Sequence, residues 1–326
     1  MSVLKECSMI ASVGIIAYNH ERFIAQTIES VLMQRVDFQY EIVIGEDCSF
    51  DRTRDIVIDF QKKHPKKIRL LLHEKNIGDV GRRNFTETFM ACKGEYVAWL
   101  DGDDFWTDPD KLQRQVEFLN DHPECSLCFH PVKRLYEDGR SNVFYPFGRK
   151  QRYTLEDVLK NSTFIHASSI VCRSTALKEF PSWFFRSNVK LADWTLYVLG
   201  SLHGEIGYID EVMSVYRRHR NAVWSYIGPF PQILWDIETR DAVNTYLSLR
   251  REKKKKRPLF DRYLELAKSF ADRGDHKRAR KYLMKCILNV PFDHAYSRRY
   301  LLTVTLRLYC SWLVPSIVAF RNKFLD

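Results

Sequence analysis

Between residues 12 and 100, short apolar runs alternate with amphipathic stretches, and this alternation constrains the fold more than any other feature of the 326-residue chain. The apolar runs at 13–17, 41–44, 68–72 and 96–100 have strand length, while the stretches at 21–34, 51–63 and 82–92 have helical spacing, the last ending near Gly94. Strands and helices in such alternation pack as an α/β layer structure, a mainly parallel sheet covered by helices. Ligands of these sheets bind beyond the carboxyl ends of the strands, so the residues that follow each apolar run are the ones to read for chemistry.

Residues 105–228 continue the pattern more loosely, with an acidic-started helix at 108–120, strands near 126–131 and 168–172, and a helix at 190–202. After Pro229 and Pro231 the pattern turns helical, interrupted by the run RREKKKKR at 250–257. Residues 260–291 fit one tetratricopeptide unit, with Leu266, Ala267, Phe270, Gly274, Ala279, Leu283 and Pro291 at its signature offsets. One unit cannot bury its own apolar face and must pack on something else. The apolar stretch at 300–320 is broken by Arg307 and Pro315 and flanked by Arg298, Arg299, Arg321 and Lys323. That pattern predicts a helix lying in a membrane surface, not one spanning it.

The net charge of +10 is unevenly spread: residues 240–326 hold 21 Lys and Arg against 8 Asp and Glu, whereas the preceding 239 residues hold 30 against 33. A basic tail on a near-neutral domain points to a polyanionic partner. The tail carries no reader motif with interleaved aromatics, so an anionic membrane surface is expected and nucleic acid is not. A hydrophobic content of 45% excludes global disorder. Eight cysteines without framework spacing, and an N-terminus without a long apolar run, predict a cytoplasmic location, peripheral on the inner face of the membrane given the tail. Cys125 and Cys128 form one C-x-x-C pair without the further ligands that zinc needs.

The strongest chemical signal is Asp101-Gly102-Asp103-Asp104, directly after the run at 96–100. Three carboxylates within four residues repel one another unless a cation neutralises them, and hard oxygen ligands of this kind suit Mn²⁺ or Mg²⁺ bridging a diphosphate. A second signal, Glu46-Asp47, stands at the tip of another apolar run, where a carboxylate can accept an N–H of a nucleobase; Asp51 and Thr53 just beyond can cap the next helix.

In chain order, Ala17-Tyr18-Asn19, Glu46-Asp47-x-Ser49-x-Asp51-x-Thr53, Asn76-x-Gly78, Arg83-Asn84, Gly94-Glu95-Tyr96 and Asp101-x-Asp103-Asp104 resemble the family 2 glycosyltransferases of the glycosyltransferase A-type fold, over about residues 11–225. The resemblance implies a Rossmann-like mixed sheet in a catalytic domain at 1–228, with a nucleotide-sugar half at 11–104 and an acceptor half at 105–228, before a helical basic tail at 229–326. It implies inverting transfer of a hexosyl or N-acetylhexosaminyl group from a nucleotide-diphosphate sugar, UDP-linked, to a glycan or lipid-linked acceptor in cell-surface polysaccharide synthesis. Ala17, Tyr18, Asn19, Glu46, Asp47, Arg83, Asp101 and Asp103 would bind the donor, Asp47 at the base and Arg83 at the phosphates. Asp103 and Asp104 would hold the metal, joined by His219 of the segment 215–219.

The family's catalytic carboxylate, usually the second of an acidic pair before an aromatic residue, matches Asp193-Trp194, with Ala192 in place of the first acid. Asp193 would be the general base, with Trp194 and Ser169 on the acceptor side. A catalytically inactive nucleotide-sugar-binding module would use the same pocket, but retention of all three acidic-loop carboxylates and Asp193 argues against it. A nucleic-acid-binding protein is the remaining alternative.

Overall fold

A computed structural model describes residues 10–78, 81–160, 165–177, 180–185, 189–222, 229–249 and 260–288. The chain divides into two compact units, residues 1–226 and 227–326.

In the first unit the four apolar runs become strands β1 (Ala11–Ala17), β2 (Tyr40–Glu46), β3 (Ile68–Leu72) and β4 (Tyr96–Asp101), parallel and ordered β3-β2-β1-β4. Every residue of β2 is buried, which is why its sequence reads as a continuous apolar run. The connections carry α1 (Ile24–Leu32), α2 (Thr53–Lys63) and α3 (Arg82–Ala91). Helix α1 buries Ile24, Thr27, Ile28 and Val31, the spacing of one helical face. Where α3 crosses β2, any Cβ on Gly45 would collide with Thr88 Oγ1 and Asn84 Oδ1, so glycine is what lets the helix seat on the strand.

Beyond β4 the sheet continues through β10 (Val171–Arg173), antiparallel to both its neighbours, then β6 (Cys125–Phe129), β11 (Glu205–Tyr208) and β9 (Arg152–Tyr153). A second sheet has the order β5-β12-β7-β8, built from β5 (Phe105–Trp106), β12 (Ser214–Arg218), β7 (Val132–Tyr136) and β8 (Ser141–Phe144). Helices α4 (Lys111–Asp121), α5 (Leu155–Lys160) and α6 (Ala192–Ser201) complete the unit. The result is the expected mixed, mainly parallel α/β architecture.

Three boundaries differ from the sequence expectation. The helix expected from Asp108 begins at Lys111, because Pro109 follows Asp108 and the Asp108 carboxylate accepts the Asp110 N–H at 2.8 Å, forming a turn ahead of the helix. The strand expected at 126–131 ends at Phe129, since Pro131 has no N–H to give the ladder, and β7 starts in a different sheet. Residues 167–169 form a 3₁₀ turn, and the strand expected at 168–172 starts only at Val171.

The second unit contains α7 (Pro229–Leu249), α8 (Phe260–Asp272) and α9 (His276–Leu288). Leu266, Ala267, Phe270, Ala279 and Leu283 are all buried in one cluster with Ile237 of α7, so the helix pair α8–α9 packs its apolar face against α7. Gly274, at φ +77°, makes the turn between them. Pro291, the basic run at 250–257 and the stretch at 300–320 lie outside the described residues. Among the described residues no helix is long and apolar enough to cross a membrane.

Candidate active site

The carboxyl ends of β1, β2 and β4 converge on one region. Asp101 ends β4, and the loop after it is fastened from two sides. The Gly102 N–H donates to Ile16 O of β1 at 2.8 Å, and the Thr27 hydroxyl of α1 lies 3.0 Å from Gly102 O and 2.7 Å from Asp104 O. Gly102 has no room for a side chain, because a Cβ there would come within 2.6 Å of His20 Nδ1 and 2.9 Å of Ile16 O.

The three carboxylates of this loop have different fates. Asp103 Oδ2 lies 3.0 Å from His219 Nε2 and 3.9 Å from His20 Nε2. Burial alone would raise the Asp103 pKa, but the charge of His20 and the hydrogen bond from His219 carry it below the usual range. Asp104 is 1% exposed; its Oδ1 accepts the Arg217 N–H at 2.8 Å and its Oδ2 is buried without a hydrogen-bond partner. Desolvation, followed by the charges of Asp103 and Asp101, holds Asp104 well above the usual carboxylate range. Asp101 is raised in the same way by desolvation, then by Asp193 and Asp103. Arg217 adds a guanidinium that donates to the Asp103 carbonyl and stacks 4.4 Å over Phe105.

Asp101 and Asp193 line the same cleft, together with Arg82, Phe85, Trp99 and Ala167, around about 390 Å³ of open space. Asp193 occupies the first turn of α6, whose N-cap is Leu191, so capping the helix is not its task. Its carboxylate keeps accessible surface inside the cleft, yet the surrounding walls crowd out enough solvent to raise its pKa. One helical turn on, the Tyr197 hydroxyl is buried without a hydrogen-bond partner.

At the tips of β1 and β2 the picture is different. Glu46 is fully buried, its Oε1 accepting the Ser49 N–H at 2.7 Å and its Oε2 paired with Arg54. Asp47 is 3% exposed; Oδ1 accepts the Ile77 N–H at 2.8 Å and Oδ2 the Asn76 amide at 3.1 Å. Asn19 and Cys48 adopt left-handed conformations at φ +56° each, and Asn19 is tied to the β2 loop through Ser49 Oγ and the Phe50 N–H, both at 2.9 Å. Tyr18 follows Ala17, the last residue of β1, and meets the 85% exposed Phe50 edge-on at 6.2 Å.

Several residues singled out from sequence sit elsewhere than expected. Arg83 is exposed on α3; its neighbour Arg82 lines the cleft, with its guanidinium donating to Phe184 O at 2.6 Å and to Val189 O. Trp194 is buried and donates its indole N–H to Val158 O at 2.8 Å, tying α6 to α5. Ser169 is fully buried, its hydroxyl donating to His166 O at 2.7 Å. Neither Trp194 nor Ser169 offers an acceptor-facing surface. Sequence reasoning passed over Arg82, His20 and Arg217, although His20 directly follows Ala17-Tyr18-Asn19 and Arg82 directly precedes Arg83.

Among the described residues no three His, Cys, Asp or Glu side chains already converge as a cation cage. The groups around Asp103 nevertheless fit a divalent ion: a carboxylate kept ionised, the His219 imidazole on it, a buried Asp104 oxygen without a partner, and mutually repelling neighbours.

A model of glycosyl transferase family 2 matches residues 12–180. The putative teichuronic acid biosynthesis glycosyltransferase TuaG of Bacillus subtilis is 30% identical over 210 residues, covering 64% of this chain and 79% of TuaG. The chain belongs to glycosyl transferase family 2. An uncharacterised Mycobacterium tuberculosis protein is 37% identical over 214 residues, covering 65% of this chain, and the chain spans about 60% of that relative's length. Among solved structures, S. aureus TarS 1–349 in complex with UDP-GlcNAc shares the fold, with a TM-score of 0.57 at 18% identity over 93% of this chain and 91% of TarS 1–349. The family match spans β1 to β10 and takes in Asp101, Asp103 and Asp104, but it stops before α6 and β12, the elements that carry Asp193 and His219.

Proposed function

We propose that the protein is an inverting, divalent-metal-dependent glycosyltransferase that uses a nucleotide-diphosphate sugar, with UDP as the nucleotide, and a glycan or lipid-linked acceptor of cell-surface polysaccharide synthesis. The observation that carries this reading is the shared cleft of Asp101 and Asp193. Direct displacement at an anomeric carbon needs a cation on the leaving diphosphate and a base on the acceptor side, and the two must be separate groups. Asp103 and His219 would hold Mn²⁺ or Mg²⁺, and the bound ion would neutralise the departing diphosphate. The imidazole favours Mn²⁺, since nitrogen donors suit it better than Mg²⁺.

The chain's own residues do the rest. Asp193 accepts the proton of the acceptor hydroxyl, and its raised pKa brings it closer to working pH, where a general base is most effective. Tyr18 and Phe50 offer ring surface to the base, and Asp47, buried and held by Asn76 and Ile77, shapes the loop at the tip of β2. Asp104 is locked through Oδ1 to the Arg217 N–H and positions the loop, and its partnerless Oδ2 would join Asp103 and His219 on the metal. Arg83, exposed on α3, would reach the donor phosphates, and its buried neighbour Arg82 shapes the cleft wall.

The bound UDP-GlcNAc of TarS and the polysaccharide context in TuaG's name support the donor and acceptor classes by likeness. Calorimetry tests the donor site: UDP should bind in Mn²⁺ and lose affinity in chelator, and equal affinity in the two would remove the metal from the reading. The basic region at 240–326 would hold the enzyme on an anionic membrane, each basic residue near the surface contributing about 1 kcal/mol. Flotation with anionic liposomes should recover the chain and neutral liposomes should not; recovery from both alike would assign the tail another task.

A further inference from the structure

Tyr197 lies on α6, is 1% exposed, and its hydroxyl is buried without a hydrogen-bond partner. A buried hydroxyl left unpaired weakens a fold, and phenylalanine would fill the same space without that loss. The hydroxyl therefore calls for a use beyond packing.

Its surroundings supply one. Asp193 precedes Tyr197 by four residues, so the two side chains lie one turn apart on one face of α6. Asp101 lines the same cleft as Asp193. Desolvation, followed by the charges of Asp193 and then Asp101, raises the Tyr197 pKa well above that of a free phenol. The phenol thus stands within the field of both carboxylates, Asp193 the stronger, and keeps its proton at any working pH. A phenol held protonated is a donor.

Asp193 lacks such a donor. Among the described residues, the group that favours its charged form by a hydrogen bond is its own backbone N–H, so the carboxylate has no anchor outside the residue itself. The Tyr197 ring, by contrast, is fixed. Trp194 ties α6 to α5 through Val158 O at 2.8 Å, the Thr195 hydroxyl donates to Leu191 O at 2.8 Å, and every residue from Trp194 to Ser201 is buried. A base works from one orientation, and a rigid neighbour on its own helix can hold it there.

We propose that Tyr197 is a positioning residue for the general base: its hydroxyl donates to one Asp193 oxygen and leaves the other to take the acceptor's proton. This rests on the glycosyltransferase reading above. With the ring fixed, Asp193 closes the pair by turning about its Cα–Cβ bond, a rotation that its accessible place in the cleft allows. The bond favours the ionised carboxylate and offsets part of the desolvation that raises Asp193. Asp193 then stays a base further toward acid pH.

The probe reaction is UDP release from UDP-hexoses and UDP-N-acetylhexosamines in Mn²⁺, with water as the acceptor. The water oxygen bonds to the anomeric carbon, its proton passes to Asp193, and the carbon–oxygen bond to UDP breaks with both electrons leaving on UDP. Tyr197→Phe in the full chain should lower turnover about tenfold, leave the donor KM unchanged and move the acid limb of the turnover profile to higher pH. A second readout needs no turnover. In melts of the full chain, Tyr197→Phe should lower the melting temperature when Asp193 is present and raise it in the Asp193→Ala background, where the carboxylate is gone. Melting shifts of the same sign and size in both backgrounds, or full turnover with an unmoved acid limb, overturn the proposal. If the unsubstituted chain releases UDP from none of these donors, the donor reading fails by itself, and the melts still decide whether Tyr197 holds Asp193.

Discussion

The acidic loops after β2 and β4 look alike in sequence and differ in how their charge is met. After β2, every oxygen of Glu46 and Asp47 has a partner within the chain, from Ser49, Arg54, Ile77 and Asn76. After β4, Asp101, Asp103 and Asp104 face one another, and two histidines with the Arg217 N–H and guanidinium offset them in part. An acidic loop neutralised from within is a scaffold for the surface beside it. One left uncompensated is an energetic cost that a cation removes.

The widest gap between the regions should appear in turnover. Asp193→Asn keeps shape and removes the base, so turnover should fall about 10² to 10⁴-fold with UDP affinity nearly unchanged. Near wild-type turnover would take Asp193 out of the mechanism and move suspicion to Asp101, its neighbour across the cleft.

Glu46→Gln probes the satisfied loop and should do the reverse. Removing one partner of a buried ion pair leaves Arg54 uncompensated and should cost about 3 kcal/mol in a denaturant melt, with turnover per folded molecule retained. Loss of turnover without loss of stability would mean that Glu46 touches substrate.

The smallest effect belongs to the exposed ring. Phe50→Ala should weaken UDP binding about fivefold, roughly 1 kcal/mol of ring contact, and leave the melting temperature unmoved. If affinity is unchanged, the base sits against Tyr18 alone.

How legible this was in the sequence follows from how local each signal is. The four parallel strands were visible because a strand buried on both faces must be apolar along its length, and the Asp101 loop because its charge density is confined to four residues. Asp193 stood out from its setting before Trp194, but the burial of Trp194 did not. Helix α6 is buried from Trp194 to Ser201, so periodicity gives it no distinguishable face. Arg82 and Arg83 are chemically identical neighbours whose fates depend only on the phase of α3, which starts after the left-handed Gly81. The strands at 132–136 and 141–144 are polar and half-exposed and carry no apolar alternation to find.

The Asp104–Arg217 hydrogen bond joins positions 113 residues apart, and His219 reaches Asp103 across 116. A ribosome that has released residues up to 212 has already delivered β1 to β4 with all three carboxylates, and not one of the β12 groups that steady them. Until β12 and His219 emerge, the newly made loop has Ile16, Thr27 and His20 against it but neither the Arg217 N–H nor the His219 imidazole. The two ends of the unit therefore have to meet before the acidic loop is complete, and that meeting is the slow, long-range kind of contact in a folding chain.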